Sequence, residues 1–394
     1  MIYLDNAGTT KVSEKVMSKI LPYFSEIYGN ASSLNTLGQK AKEELEKARM
    51  IVADCIGAEV NEIYFTSGGS ESDNWAIETA CKKGEMNGKK HIITSAIEHH
   101  AILNTLSEKQ KQGFKITYLP VYENGIVKVS DLLNAIDDET CLVTIMYANN
   151  EIGTIQPIEE IGKICRERKI PFHTDAVQAV GHLPIDVKKQ NIDMLSMSGH
   201  KFHAPKGVGV LYIRKGIPIF NFINGGSQER GKRAGTENIA GIVGLATALQ
   251  DAVANMEENN NKMQKFRDLL FENLTRIPHS KINGDKNMRL ANNFNMSFEG
   301  IEGESLLLLL DDKGICASSG SACTSGSLEP SHVLLAIGLP HEVAHGSLRL
   351  TLSKYTNLDE IKKVIEVLPK IVEYLRSISP VWDELKKGER KYVL

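Results

Sequence analysis

The chain has 394 residues, of which 42% are apolar and 24% charged, with a formal net charge of −3. This length exceeds what a single core usually holds, so two domains are expected, and the charge balance leaves no basic stripe for a nucleic-acid surface. The longest conspicuous apolar run, Leu306 to Leu310, is far too short to span a bilayer, so no membrane segment is expected.

No charged-then-apolar leader precedes Asp5, so a signal peptide is not expected. The six cysteines are scattered without a C-x-x-C pair, which argues against a disulfide scaffold. The spacing of Cys316 and Cys323 matches no common zinc pattern, and no metal site is expected. A reducing cytoplasm is the compartment these features suit.

From residue 15 to about 250, short β-rich runs alternate with helical patterns. "QKAKEELEKARMIVADCIG" opens the series as an amphipathic helix. "NEIYF" then reads as a strand and enters the turn "TSGGSESDN". Gly68, Gly69 and Ser70 there would let backbone N–H groups approach an anion at a helix N-terminus; ordinary capping by Ser70, with Glu71 or Asp73 in the first turn, is the alternative. The strand "HIITSA" leads into "AIEHHAIL", where His99 and His100 could be acid–base or ring-stacking groups, or simply histidines at a helix start.

"KITYLPV" and "CLVTIMYA" read as further strands, with a tight turn at Asn124-Gly125 between them, and "IEEIGKICRERK" as a helix. "IPFHTDAVQ" ends a strand at Asp175, an acid able to pair with a pyridinium nitrogen or to cap a helix. "DMLSMSGHKFHAPKG" brings Lys201 to the end of the next strand. A partly desolvated lysine there could form a Schiff base, whereas most lysines are solvated. "GVLYI" is the last strand of the series, and alternation of this kind implies a mostly parallel sheet that binds ligands at its carboxyl edge.

Near Asp251 the pattern changes to one long helix over "DAVANMEENNNKMQKFRDLLFENLTRI". A second, α+β domain follows, with strands "NFNMSFE" and "SLRLTLS" and helices "EPSHVLLAIG" and "NLDEIKKVIEVLPKIVEYLRSI". Pro330 suits the first turn of the former helix and Gly338 its end. The expected division is a large domain over residues 15–260 and a small one over 1–14 and 261–394. Between those small-domain strands lies "SSGSACTSGS", where Cys323 stands alone among small polar residues on an expected mobile loop. Such a thiol is either inert or a tuned nucleophile. The tail "SISPVWDELKKGERKYVL" reads either as a frayed end or as a docking segment with Trp382 as its anchor.

Lys201, Asp175, the glycine turn and His99 together describe a pocket for pyridoxal 5′-phosphate (PLP). The ordered motifs "YLDNAGTT", "YGNASS", "FTSGGSESDN", "EHHAIL", "ANNEIGTIQPI", "HTDAVQAVG", "SMSGHKFHAPKG", "GGSQERGKRAGTEN", "SSGSACTSGSLEPSHVL" and "AHGSLRLTLS" resemble, over essentially the whole chain, the cysteine desulfurases. These form the NifS/IscS-like group of PLP-dependent fold type I, class V aminotransferase-like enzymes. The resemblance implies a large domain with a mostly parallel seven-stranded sheet. It implies that Lys201 holds the cofactor covalently, Asp175 pairs with its ring nitrogen and His99 stacks on the ring, Lys201 and His99 also moving protons. Gln178 and Asn150 would lie near the ring hydroxyl and the substrate. Ser70, Ser198 and His200, with backbone donors around Gly69, would take the phosphate. Thr236 would reach the phosphate of a partner subunit, which implies a homodimer, and Arg349 would clamp the carboxylate of L-cysteine, the alternative for it being a surface salt bridge.

Cys323 would receive the sulfur as a persulfide while L-alanine leaves. The length of its loop resembles the long-loop desulfurases, which hand sulfur to iron–sulfur scaffolds and tRNA-thiolation proteins. Asn35 stands where many relatives have histidine, which puts a peripheral contact in doubt. Rival readings are another PLP reaction on this fold, such as selenocysteine lyase or transamination, or a sulfur-relay subunit without PLP chemistry. The presence of Cys323 and Lys201 argues against the last two.

Overall fold

The structure is a computed structural model and describes residues 1–319 and 330–394. Cys323 lies outside the described residues. Strands are β1 (Ile2–Tyr3), β2 (Ile63–Thr66), β3 (His91–Ser95), β4 (Lys115–Leu119), β5 (Thr140–Thr144), β6 (Phe172–Asp175), β7 (Met194–Ser198), β8 (Gly209–Ile213), β9 (Ser280–Ile282), β10 (Asn293–Phe298), β11 (Ile315–Cys316) and β12 (Ser347–Thr351).

All seven strands read from the first part of the sequence form one sheet in the order β2-β8-β7-β6-β5-β3-β4. Only β8 runs against its neighbours β2 and β7; the other pairings are parallel. Strands β2, β3, β5, β6, β7 and β8 are buried along their whole length, because helices cover both faces. The carboxyl ends of β2, β3, β5, β6 and β7 therefore share one edge, and the loops leaving them meet there.

Strands β12, β10 and β9 form a second, antiparallel sheet, and β1 pairs in parallel with β11. Their side chains build a separate core around Phe294, Met296, Phe298, Leu348, Leu350 and Leu368. Val333, Leu334 and Ile337 belong by contact to the first core, and so tie the later part of the chain to the large sheet.

Three local expectations are corrected. The long helix near Asp251 is two helices, Ile239–Ala254 and Met256–Leu274, bent by 72° at Asn255. The Asn255 side chain donates to the Asp251 carbonyl, a competing bond of the kind that ends helices. Pro330 precedes its helix instead of opening it, because Ser331 is the N-cap and accepts from Val333 N and Leu334 N. Trp382 is neither frayed nor available as an anchor. It is 8% exposed, lies 4.1 Å from the Arg376 guanidinium and meets His279 and Tyr392 edge-on. Asn35, the residue that departs from the family pattern, accepts from Gly38 N and caps the helix Thr36–Ile56. No single helix among the described residues is long and apolar enough to cross a membrane.

Candidate active site

At the carboxyl edge of the large sheet lies a cavity of about 400 Å³. Lys201, Asp175, His99, Asn150, Gln178, Ser198, His200, Gly69, Ser70 and Arg349 all line it. Thr236 does not: it is exposed and away from the cavity of its own chain.

Asp175 ends β6 and is buried. Its Oδ1 accepts from Val177 N at 2.9 Å, as the capping alternative anticipated, yet the carboxyl also faces the cavity. Burial pushes it above the usual carboxylate range, and His99 and Lys201 oppose that push. A cationic ring nitrogen in the cavity would complete the compensation that these two groups begin.

His99 caps the helix His100–Lys111, its Nδ1 accepting from Ala101 N at 3.1 Å. The ring is thereby fixed with Nδ1 as acceptor, which leaves Nε2 to carry the proton of the neutral form. Burial lowers its pKa, as the flat, uncharged face of a stacking partner requires.

Lys201 follows β7 in a single 3₁₀ turn. Its Nζ donates to Ala7 O at 2.6 Å and Gly8 O at 2.8 Å. Two backbone carbonyls thus hold the amine at the cavity wall. His200, whose Nδ1 lies 3.1 Å from Thr9 Oγ1, is pushed down to about 4 by burial and by Lys201 and Lys206.

The turn between β2 and the helix Gly69–Met86 has Gly68 at the N-cap with no capping side chain, so Ser70 does not serve as the cap. A Cβ on Gly69 would sit 2.7 Å from Val177 Cγ2, and one on Gly209 would sit 2.6 Å from Gly68 Cα. Glycine is what lets this turn pack between β8 and the loop after β6 and leave its N–H groups at the cavity wall.

Arg349 is 2% exposed, so the surface salt bridge does not describe it. Its Nη2 lies 2.8 Å from Asp5 Oδ1, its Nη1 donates to Asn150 O at 3.2 Å, and its Nε is buried without a partner. One edge of the guanidinium is committed and one donor is in reserve for a carboxylate.

Sequence reasoning assigned no role to several residues found here. Asp5, Ala7 and Gly8 belong to the quoted stretch "YLDNAGTT", and Asp5 and Ala7 reach Arg349 and Lys201. Ala7 N donates to Thr351 Oγ1 at 2.8 Å and Gln178 Nε2 donates to Ala7 O at 3.1 Å, so this stretch joins β12 to the large sheet. Asp73 also lines the cavity, its Oδ1 buried without a hydrogen bond and 3.7 Å from His173 Nε2. Behind them, burial pushes the Glu98 carboxyl up to about 8 while Ser95 Oγ and Met146 N donate to its Oε1. Glu151 is pushed up to about 7 by burial and accepts from Ser331 Oγ at 2.5 Å. Only the enclosing sheet makes these carboxyls special, so no local signal reveals them.

A lysine held by carbonyls, a buried acid, a neutral histidine and a glycine-lined helix start are a donor set that fits PLP. The class-V aminotransferase family model matches residues 2–364, and the chain belongs to this PLP-dependent family. Within it, the chain is 57% identical over 380 residues to the cysteine desulfurase IscS of Methanosarcina thermophila, covering 96% of this chain and 94% of that one. It is 56% identical over 393 residues to the cysteine desulfurase IscS of Clostridium botulinum strain Hall, covering 99% of each. A solved NifS-like protein superposes with a TM-score of 0.90 at 39% identity, over 95% of this chain and all of the other.

Proposed function

We propose that this cavity takes sulfur from L-cysteine and that Cys323 is the thiol that receives it. The chain is a PLP-dependent cysteine desulfurase. The observation that carries the reading is the convergence of Lys201, Asp175, His99 and Arg349 on one cavity, in a chain similar over its full length to cysteine desulfurases.

Lys201 Nζ would hold the cofactor, Asp175 its ring nitrogen and His99 its face. Gly69, Ser70, Ser198 and His200 would hold its phosphate, and Gln178 and Asn150 its ring hydroxyl and the substrate. Bound there, PLP supplies an electron sink for bond cleavage at the substrate. The Arg349 guanidinium would orient the substrate by its carboxylate, a directional, charge-assisted contact. Lys201 Nζ and His99 Nε2 are the proton carriers, since His99 Nδ1 is already engaged. The Cys323 thiolate would bond to the substrate sulfur as the carbon–sulfur bond breaks. One cysteine and one enzyme thiol thus give one alanine and one persulfide, with atoms and electrons in balance.

In this reading the working form is a homodimer, with Thr236 reaching the phosphate in the partner subunit. The sulfur passes to an iron–sulfur scaffold or a tRNA-thiolation protein in the cytoplasm. The test is incubation of the purified protein with L-cysteine, and separately with L-selenocysteine, with and without an added thiol. Stoichiometric alanine from L-cysteine, with sulfide released only when the thiol is added, is the expected result. Alanine from L-selenocysteine alone would make the protein a selenocysteine lyase instead.

A further inference from the structure

The helix Gly69–Met86 carries a charge in an awkward place. Its open N-terminus, with aligned peptide dipoles and unpaired first-turn N–H groups, attracts anions. Glu71 already occupies that first turn, its Oε2 accepting from Ser67 N at 2.9 Å. A carboxylate there draws on the same field as a phosphate bound at Gly69 and Ser70, and repels it.

Arg233 answers this charge. Its Nε lies 2.8 Å from Glu71 Oε1 and its Nη2 3.1 Å from Oε2, a two-pronged pairing with side chains 21% and 11% exposed. Although burial pushes the Glu71 carboxyl up, the bonds from Arg233 and Ser67 outweigh it and keep it below the usual carboxylate range. The group therefore stays ionised, and Arg233 balances it.

The chain goes to some length to deliver Arg233. The preceding residues Glu229 and Arg230 both adopt left-handed backbone, with φ of 46° and 59°, which non-glycine residues rarely tolerate. Glu229 is held there by a buried two-pronged pair with Arg49, at 2.7 and 2.9 Å, and accepts from Phe65 N at 3.0 Å. Arg230 donates to the carbonyls of Asn61 and Val60. The segment is thus fastened to β2, on the strand that feeds the glycine turn.

We propose that Arg233 is a positioning residue for the cofactor phosphate, acting by cancelling the charge of Glu71 at the mouth of the helix. The proposal rests on the PLP reading above, and its test is built on cofactor retention. Holoenzymes carrying Arg233→Gln, Glu71→Gln and both substitutions are diluted, and loss of bound cofactor is followed by its visible absorbance. The same proteins are loaded with pyridoxal, which lacks the phosphate, and compared.

Arg233→Gln should release PLP about tenfold faster, a factor within reach of one uncompensated like charge near a protein surface. Glu71→Gln should release it no faster than wild type, and the double variant should return to the wild-type rate. Pyridoxal should be released equally by all four proteins. If Glu71→Gln alone releases PLP as fast as Arg233→Gln, or the double variant is not rescued, the pair is only a structural brace and the proposal fails. If Arg233→Gln does not fold, the double variant decides: wild-type release supports charge cancellation, and fast release overturns it. If the wild-type protein holds pyridoxal as tightly as PLP, the phosphate site itself is misassigned, a failure distinct from that of Arg233.

Discussion

Arg349 Nη2 lies 2.8 Å from Asp5 Oδ1, so the guanidinium proposed to orient the substrate already holds a carboxylate of its own chain. Nε is open to a carboxylate, but a two-pronged grip through Nε and Nη2 would require L-cysteine to displace Asp5 from Nη2. Arg349→Ala should raise KM for cysteine and lower kcat/KM roughly 10- to 100-fold while PLP stays bound, the range expected for a lost charge-assisted hydrogen bond. Asp5→Asn should lower KM a few-fold by removing the competitor. Steady-state kinetics decide, and an unchanged KM in both variants would leave Arg349 as a structural residue.

Lys201→Ala should lose alanine production altogether and also the visible absorbance of the bound cofactor. The Nζ it removes bonds the carbonyls of Ala7 and Gly8 at the edge of the cavity, outside the hydrophobic cores, so the fold should survive. Circular dichroism and the visible spectrum together distinguish loss of the cofactor linkage from loss of structure.

The buried Glu98 sets a pH dependence of stability. Its carboxyl is raised from 4.5 to about 8, so the folded protein holds a proton that the unfolded chain gives up from about pH 4.5 upward. The stabilisation is complete below the unfolded value and is lost as pH rises to about 8, amounting to a few kcal/mol at most. Glu98→Gln should flatten this fall in Tm between pH 5 and 8, as measured by thermal unfolding across that range. A parallel decline in wild type and variant would locate the titration elsewhere.

Trp382→Ala should cost about 3–5 kcal/mol of stability, as deletion of a buried aromatic does. Truncation after Pro380 removes the same contacts with Arg376, His279 and Gly300, so it should lower Tm besides any effect on sulfur transfer. A truncated protein with unchanged Tm but weakened transfer would restore the docking role.

The two cysteines near the end of the chain should behave differently. Cys316 is half-buried in β11 and its thiol is raised by burial and by Asp311, which makes it a poor nucleophile. Cys323→Ser should abolish persulfide formation and leave bound PLP intact, whereas Cys316→Ser should retain most activity. Mass spectrometry after brief exposure to L-cysteine should find the extra sulfur on the peptide containing Cys323.

The large sheet was legible because each of its strands is a short apolar run closed by a turn, and Lys201, Asp175 and His99 announce themselves by falling just past such runs. What escaped the sequence is what depends on distant partners. Nothing local marks Asp5 as the partner of Arg349, or Arg233 as the partner of Glu71, because those contacts exist only once the sheet has formed. The break at Asn255 was hidden by apolar spacing that continues through it, and the tail looked loose because part of the packing of Trp382, at His279 and Gly300, comes from residues far back along the chain.

The stretch Asp5–Gly8 covers Lys201 with two carbonyls and bonds Thr351 and Arg349 from the opposite side. Asp5 leaves the ribosome 344 residues ahead of Arg349. During synthesis the lysine and its strand therefore exist for a long interval with neither the guanidinium nor Thr351 in place. Only a nearly finished chain can close the pocket, so a prematurely terminated product is left without the guanidinium that lines it.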